Sequence, residues 1–206
     1  MLCASAALAQ SAAPQITTRD LPKAVRGFSY RAQLQAQGGT APPSWRAVSG
    51  LPAGLRLSAN GELAGTPTAA GMFRVRIAVG DSSRPPLSSE RELVLRVVMP
   101  VEVDWKQPAQ ARDGGIFGSL HLVNNTPQAL DLTVIVVAVN TTGKAFALGY
   151  QHATLEPNGE IAEMQFGFTL PQDSYVVHAD AVGESAAAGK IYRSRLQTGA
   201  LAVQAP

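Results

Sequence analysis

One stretch decides the fold of the first half of the chain, and it reads LPAGLRLSANGELAGTPTAAGMFRVRIAVGD over residues 51–81. Short apolar segments alternate with turn residues, and no segment is long enough for a helix. Asn60-Gly61 is the pair preferred in a two-residue type I′ turn, because both central residues of that turn need a positive φ. Gly65-Thr66-Pro67 ends the next segment, since proline cannot donate to a β-ladder. The stretch therefore predicts β-hairpins, with Leu57 and Leu63 facing one core.

The neighbouring segments alternate with the period of half-buried strands. From residue 73 onward one parity is apolar and the other is basic, and the residues are Phe73, Val75, Ile77 and Val79 against Arg74 and Arg76. Residues 28–34 likewise alternate between apolar and polar side chains, and Leu93, Leu95 and Val97 complete the domain. Antiparallel sheets with one face on a core show this pattern.

These residues also carry a family resemblance. Gly27-Phe28-Ser29-Tyr30, Gly38-Gly39 and Trp45 precede the stretch, and Asp81-Ser82-Ser83-Arg84-Pro85-Pro86-Leu87-Ser88 follows it. Residues 16–99 resemble the immunoglobulin-like domains of bacterial surface and secreted proteins, which are relatives of the cadherin-like and dystroglycan-type sandwiches. The resemblance implies a β-sandwich, and it implies core or near-core packing for Trp45.

The second half, residues 100–206, repeats the all-β pattern after a break near Met99-Pro100. About seven strands are predicted, and one of them, Leu130 to Val139, is apolar on both parities, as a central strand covered on both faces would be. Residues 170–177 resemble the tyrosine-corner approach to strand F of immunoglobulin-type domains. The predicted fold class is therefore all-β, with two tandem immunoglobulin-like β-sandwich domains.

The N-terminus has the form of a truncated export signal. Ala7-Leu8-Ala9 before Gln10 fits the small-x-small pattern of a signal-peptidase site, so residues 1–15 are interpreted as a truncated signal peptide and a flexible terminus. Cys3 is the single cysteine, and it would be removed with the signal. A lipoprotein anchor at Cys3 is the weaker alternative, because little apolar sequence precedes it. Export to the periplasm, the cell surface or the medium is expected.

The charge balance argues against a nucleic-acid partner. The chain of 206 residues has 17 basic and 15 acidic residues and a net charge of +2, too small for an electrostatic footprint on nucleic acid. No apolar run in the sequence is long enough for a transmembrane segment. The expected partners are a protein or a glycan at the cell surface.

Asp81 is the one candidate for a metal ligand. Its segment resembles the part of cadherin-type repeats that lies near their inter-domain calcium. Calcium needs six to eight oxygen ligands, whereas Asp81 and Glu62 are the carboxylates near this segment. The acidic clusters of the cadherin site are absent, and Glu102 and Asp104 at the linker are a thin substitute for them. The favoured interpretation is that Asp81 caps a turn through its side chain, with calcium binding as the alternative. No other cofactor is predicted.

The three histidines do not suggest a catalytic or zinc site. His121 and His178 fall at outward parity on strands of opposite sheets, and His152 lies in a plain strand or loop context. Zinc needs three or four converging ligands. Neither a nucleophile elbow nor a nucleotide-binding loop occurs in the sequence. The chain is therefore predicted not to be an enzyme.

Three residues are candidates for binding a partner. Trp105 follows the boundary between the halves, where it would pack in the second core, close the junction or offer its ring to a ligand. Asn140 and Lys144 bound a loop between two predicted strands. Since sandwiches present loops and strand edges, we expect contacts at the junction of residues 98–105 first and at the loop of residues 140–144 second.

Two classes of function remain. The first is a non-catalytic exported module for binding, adhesion or spacing. The alternative is an accessory part of a secreted hydrolase system, which would include carbohydrate binding. Fold analogy alone does not decide between them.

Overall fold

The computed structural model describes residues 12–204, and these residues form sixteen β-strands and no helix. Residues 1–11, which include the predicted signal-peptidase site and Cys3, lie outside the described residues. Gln15, predicted to belong to a flexible terminus, instead pairs with Gln37 in a strand. The chain divides between Val98 and Met99 into two compact units, which we call unit 1 and unit 2. The main strands of each unit form two sheets that enclose an apolar core. The predicted all-β class with two tandem sandwiches is confirmed.

Unit 1 pairs its described strands into a four-stranded sheet, a three-stranded sheet and a small two-stranded sheet. The strands are β1 (Gln15–Ile16), β2 (Ala24–Val25), β3 (Tyr30–Gln33), β4 (Ala36–Gln37), β5 (Ser44–Ser49), β6 (Leu55–Leu57), β7 (Glu62–Gly65), β8 (Gly71–Gly80) and β9 (Ser88–Val98). The four-stranded sheet has the order β2-β9-β8-β5, the three-stranded sheet β3-β7-β6, and β1 pairs with β4. The β2–β9 pair is parallel, with Ala24 beside Val97, and the other pairs are antiparallel.

The core of unit 1 follows the predicted alternation. Val75, Ile77 and Val79 of β8 are buried, whereas Arg74 and Arg76 are exposed on the outer face. The same core contains Tyr30, Leu34, Trp45, Leu63, Leu93, Leu95 and Val97, with Leu57 and Phe73 packed against it. Complete burial of each large apolar side chain stabilises the fold by about 1.5–3 kcal/mol.

The hairpin between β6 and β7 differs from the predicted type I′ turn. Of the Asn60-Gly61 pair, only Gly61 has a positive φ, at 84°. The turn hydrogen bond runs from the Gly61 N–H to the Ser58 carbonyl at 3.1 Å, and the Ser58 hydroxyl accepts the Glu62 N–H at 3.0 Å. The Ser58 side chain thus closes a longer loop, in which only one position needs left-handed geometry. The type I′ prediction is wrong.

Gly61 is also the residue on which the indole of Trp45 rests. A Cβ atom at Gly61 would lie 2.8 Å from Trp45 Nε1 and 3.0 Å from its Cδ1. The Gly61 carbonyl accepts the Leu34 N–H at 2.8 Å, and the Ala59 carbonyl accepts the Trp45 N–H at 3.0 Å. Trp45 is 5% exposed, so its predicted packing in the core is confirmed. The turn and the indole together connect the two sheets of unit 1.

We expect Gly61→Ala to destabilise unit 1 by about 2–5 kcal/mol. A left-handed φ costs a residue with a Cβ about 1–2 kcal/mol, and overpacking adds about 1–3 kcal/mol. Gly27→Ala is the matched control, because Gly27 has a φ of 79° and no atom within 4 Å of the added Cβ. Urea denaturation followed by circular dichroism measures both losses. Equal losses would show that the Trp45 contact contributes nothing.

Unit 2 pairs its seven described strands into a three-stranded and a four-stranded sheet. The strands are β10 (Val101–Arg112), β11 (Gly115–Asn124), β12 (Leu130–Asn140), β13 (Ala145–Leu155), β14 (Glu160–Thr169), β15 (Asp173–Ser185) and β16 (Lys190–Val203). The orders are β10-β11-β14 and β13-β12-β15-β16. Each neighbouring pair is antiparallel.

Strand β12 is central in its sheet, but only one of its faces is covered within the described chain. The inward residues are at most 1% exposed, and they are Leu130, Leu132, Val134, Val136 and Ala138. On the outer face Ile135 is 44% exposed, opposite Tyr150 of β13. The prediction of a strand covered on both faces is therefore wrong. Its outward apolar residues pair with one another across neighbouring strands instead of entering a second core.

Tyr175 forms the predicted tyrosine corner at the start of β15. Its ring is buried, and its hydroxyl donates to the Pro171 carbonyl at 2.8 Å. Burial and then the Asp173 carboxylate raise the pKa of Tyr175. Phe146 packs edge-on against the ring, with 5.8 Å between the centroids. The corner therefore fixes the entry of the chain into a central strand.

We expect Tyr175→Phe to destabilise unit 2 by about 0.5–1.5 kcal/mol, because the ring is kept and one hydrogen bond to a carbonyl is lost. Tyr150→Phe is the control, since Tyr150 is 67% exposed and its hydroxyl reaches solvent. Thermal denaturation of the two variants compares them directly. Identical midpoints would show that the corner hydrogen bond does not contribute to stability.

A buried polar cluster lies at the end of unit 2 where β11 passes into β12. Asn124 and Thr126 are fully buried. The Asn124 amide donates to the Gln128 carbonyl at 2.7 Å and the Glu156 carbonyl at 2.9 Å, and its oxygen accepts the Thr126 N–H at 2.9 Å. The Asn124 side chain thus provides hydrogen-bond partners for backbone groups of two adjacent loops. Buried backbone N–H and C=O groups require such partners.

Candidate functional site

Asp81 organises the loop that joins β8 to β9. It follows the last residue of β8 and is 9% exposed. Its carboxylate accepts the Thr40 N–H at 3.0 Å, the Leu87 N–H at 2.8 Å and the Ser83 hydroxyl at 2.6 Å. The Ser83 N–H donates to the same carboxylate at 3.2 Å. The side chain therefore connects its own loop with the loop that precedes β5.

The surroundings of Asp81 are those of a turn cap. The Ser83 hydroxyl and then the Thr40 N–H lower the pKa of Asp81 to about 2. These groups present hydrogens to both carboxylate oxygens, whereas a calcium ion would need further oxygen ligands there. The other candidate carboxylate, Glu62, pairs with Arg31 at 3.0 Å. The geometry favours the turn interpretation over the calcium alternative.

We expect Asp81→Ala to lower the melting temperature at neutral pH by about 4–8 °C, the effect of losing one capping side chain in a domain of this size. The folded-state pKa of about 2 lies below the ordinary value of 3.8. The contribution of Asp81 is therefore complete above about pH 4 and is lost as the pH falls from about 4 to about 2. Calorimetry across this range should show the difference between wild type and variant shrinking.

The same samples test the calcium alternative. Millimolar calcium should leave the melting temperature of the wild type unchanged. A calcium-dependent rise that Asp81→Ala abolishes would establish Asp81 as a calcium ligand. Asp20→Ala, a change at an exposed carboxylate before β2, controls for non-specific effects of charge.

The loop after β12 engages Asn140 and leaves Lys144 at the surface. The Asn140 side-chain oxygen accepts the Thr142 N–H at 3.1 Å and the Lys144 N–H at 2.8 Å, and its amide donates to Asp173 at 2.9 Å. Lys144 is exposed, with its ammonium 5.0 Å from the centroid of the Phe146 ring. Asn140 thus fixes the conformation of the loop. Of the two residues, Lys144 is the one whose side chain is available to a partner.

Trp105 packs against the core of unit 2. It is half-buried, and its ring lies 5.9 Å from that of Phe166 at an angle of 56°. Its exposed part borders a shallow hollow of about 340 Å³ that His121 and Glu160 also line. Strand β10 begins at the end of unit 2 where β12 begins, whereas Asn140 ends β12. Trp105 therefore lies toward one end of unit 2, and the loop of residues 140–144 lies at the other end. Binding at either place stays a prediction.

His121 and His178 lie on different sheets of unit 2, as the sequence predicted. His121 contacts Glu160 at 2.8 Å on the three-stranded sheet. His152 contacts Asp131 at 3.2 Å on the four-stranded sheet, which also carries His178. Within residues 12–204, no group of three or more His, Cys, Asp or Glu side chains is placed to hold a metal ion. Over the same range no helix has the length and apolar character needed to cross a bilayer.

Charge is divided unevenly between the units, which the net charge of the whole chain did not predict. Residues 12–98 carry 11 basic and 5 acidic side chains, a net charge of +6, and residues 99–204 carry 6 basic and 10 acidic side chains, a net charge of −4. The small charge of the whole chain conceals this division. Counting each half separately would have found it.

Comparison with known families finds a match over unit 1. Residues 13–98 match the family described as Putative Ig domain. Unit 1 is an immunoglobulin-like domain of this family. The match ends at the boundary between the units, so the immunoglobulin-like character of unit 2 follows from its two sheets and its tyrosine corner. Among curated proteins no sequence matches the chain.

Several solved structures are similar to parts of the chain. A putative alpha-galactosidase from Bacteroides fragilis is 22% identical over 43% of this chain and 18% of its own, with a TM-score of 0.38. Mouse Cadherin-23 EC22-24 is 15% identical over 93% and 67%, with a TM-score of 0.37. E. coli alpha-2-macroglobulin is 15% identical over 84% and 10%, with a TM-score of 0.41. The matched part spans less than one-fifth of the galactosidase, and similarities of this size carry neither ligand nor activity to this chain.

Proposed function

We propose that this chain is a non-catalytic binding or spacer module that is exported and acts at the bacterial cell surface or in the periplasm. The immunoglobulin-like domain of unit 1 and the second sandwich fit such a role. Export is supported by the small-x-small pattern at residues 7–9, which lie outside the described residues. The proposed partner is a protein or a glycan of the cell envelope.

The observation that carries this proposal is the structural use of the polar side chains. Asp81 and Asn140 satisfy the backbone of loops, and Tyr175 fixes a corner. His121 and His152 each contact a carboxylate on a different sheet. General acid–base catalysis needs such groups to converge on one reacting atom, whereas here they serve separate turns and strand pairs.

We expect purified full-length protein to show no turnover of p-nitrophenyl esters, casein or p-nitrophenyl glycosides, because these groups do not converge. Spectrophotometric assays with a buffer blank measure this. His152→Ala is the diagnostic variant, since His152 is exposed and contacts Asp131. Reproducible turnover by the wild type that His152→Ala removes would overturn the proposal.

The accessory alternative is tested by co-sedimentation with purified peptidoglycan sacculi. Retention of the chain with the sacculi, without turnover, fits a non-catalytic envelope module. An increase in the rate of an added glycoside hydrolase on that substrate would favour the accessory role. Lys144→Ala and Arg56→Ala, two exposed cation changes, separate binding through the loop of residues 140–144 from general attraction of cations.

A further inference from the structure

Seven large apolar side chains are exposed in the described structure, and six of them lie on two sheet faces. The unit 1 face is the outer face of β5, β8 and β9, and it carries Val48, Met72 and Val94. The unit 2 face is the outer face of the sheet β13-β12-β15-β16, and it carries Ile135, Tyr150 and Ile191. Clusters of exposed apolar residues on a soluble domain mark interaction sites more often than single ones do.

The unit 1 face has an excess of arginine. Its exposed charged residues are Arg46, Arg74, Arg76, Arg96, Glu90 and Glu92, a net charge of +2. Arg46 pairs with Glu90 at 3.6 Å and Arg74 with Glu92 at 3.3 Å. Arg76 lies opposite Glu92 in the β8–β9 register, but that carboxylate already pairs with Arg74. Met72, 76% exposed, lies two residues from Arg74 on the same face.

The unit 2 face has an excess of carboxylates at one end. It carries Asp131, Asp180 and Glu184 against Arg193 and Arg195, and Arg195 pairs with Asp180 at 2.7 Å. Asp131 and Glu184 lie directly opposite each other on β12 and β15, and both are exposed. Like charges in this position destabilise a sheet. His152 contacts Asp131 from the neighbouring strand.

A hollow of about 510 Å³ lies at this acidic end. Asp131, Glu184, Lys190 and Ile191 line it, together with backbone and small side chains. The positive charge of Lys190 balances the negative charge of one of the two carboxylates. A guanidinium entering beside Asp131 and Glu184 would convert their repulsion into attraction to a shared cation.

We propose that the unit 1 face of one copy of this chain docks against the unit 2 face of a second copy. Met72, Val48 and Val94 would cover the exposed apolar side chains of the partner face. Arg76 would approach the paired carboxylates Asp131 and Glu184. Met, Tyr and Arg are the residue types enriched in protein interfaces, and Arg and Tyr are frequent among energetically dominant contacts. This proposal names one partner for the proposed binding role and rests on that role.

A second copy fits these faces better than a polyanionic glycan does. Two glutamates lie among the arginines of the unit 1 face, and they would repel a uniformly anionic chain. The apolar residues between the charges need an apolar counterpart, which the unit 2 face provides. The complementary charges, +6 on one unit and −4 on the other, also steer two copies toward this pairing.

Sedimentation velocity of the full chain tests the proposal over protein concentrations from about 1 μM to about 1 mM, a range that covers weak to moderate affinities. We expect reversible self-association that weakens about tenfold when NaCl is raised from about 50 to about 500 mM, because exposed charge pairs are screened. A single monomeric species at every concentration in low salt would overturn it.

Charge reversal identifies the surfaces. Arg76→Glu or Glu184→Lys alone should weaken association about tenfold or more, and the double variant should return to within about threefold of the wild type. Arg56→Glu on β6 and Glu163→Lys on β14 are matched controls, because they make the same charge changes on the other sheet of each unit. Losses in the controls equal to those in the test variants would contradict the proposed faces.

A variant that changes no charge tests the proposal if a charge reversal impairs folding. Met72→Ser changes an exposed side chain, so it should retain the wild-type melting temperature and still weaken association about tenfold. Undiminished association of a folded Met72→Ser variant would overturn the proposal. Turnover assays on the same preparations distinguish the docking proposal from the proposed non-catalytic role. A monomeric protein without turnover contradicts the docking and leaves the non-catalytic role in place.

Discussion

The constraint on which both units depend is the satisfaction of backbone hydrogen-bonding groups where the chain leaves a sheet. Inside a sheet the ladder pairs N–H and C=O groups, but a corner or loop must find other partners. Asp81 and Asn140 accept loop N–H groups, whereas Tyr175 donates to a corner carbonyl. Asn124 does both, since its amide donates to carbonyls and its oxygen accepts an N–H. Four side chains thereby set the paths of the connections on which strand order depends.

This use of polar side chains shapes what the surface offers. Carboxylates and amides that fix turns have their hydrogen-bonding positions filled, so they offer little to a metal ion or substrate. Other exposed groups lie on the outer faces of the sheets, where apolar side chains such as Met72 and Ile135 are neighbours of arginines and carboxylates. The docking that we propose therefore uses complementary faces and not a cleft.

Much of this fold could be predicted because period-two alternation and turn residues act locally. The core of β8 and the tyrosine corner at Tyr175 depend on such local signals and were predicted correctly. The hairpin at Gly61 was predicted incorrectly. Its loop conformation depends on the Ser58 side chain, which is easily overlooked, and on the Trp45 indole, which is distant in the sequence. The prediction that both faces of β12 are covered was wrong. Apolar residues on both parities occur in a strand that a second layer covers, but they also occur where only a neighbouring strand lies beside them. The turn role of Asp81 was predictable from its type, but its Thr40 partner, 41 residues away, was not.

The parallel pairing of β2 with β9 gives unit 1 a direction of mechanical strength. Ala24 and Val25 run alongside Val97 and Val98, and the Arg26 N–H donates to the Val98 carbonyl at 2.9 Å. Tension applied between these two strands pulls them past each other in opposite directions along their length. The hydrogen bonds of the pair are then loaded together in shear, instead of being opened one after another as in a peeled hairpin. Extension of unit 1 by its ends therefore has to break the hydrogen bonds of this short contact together.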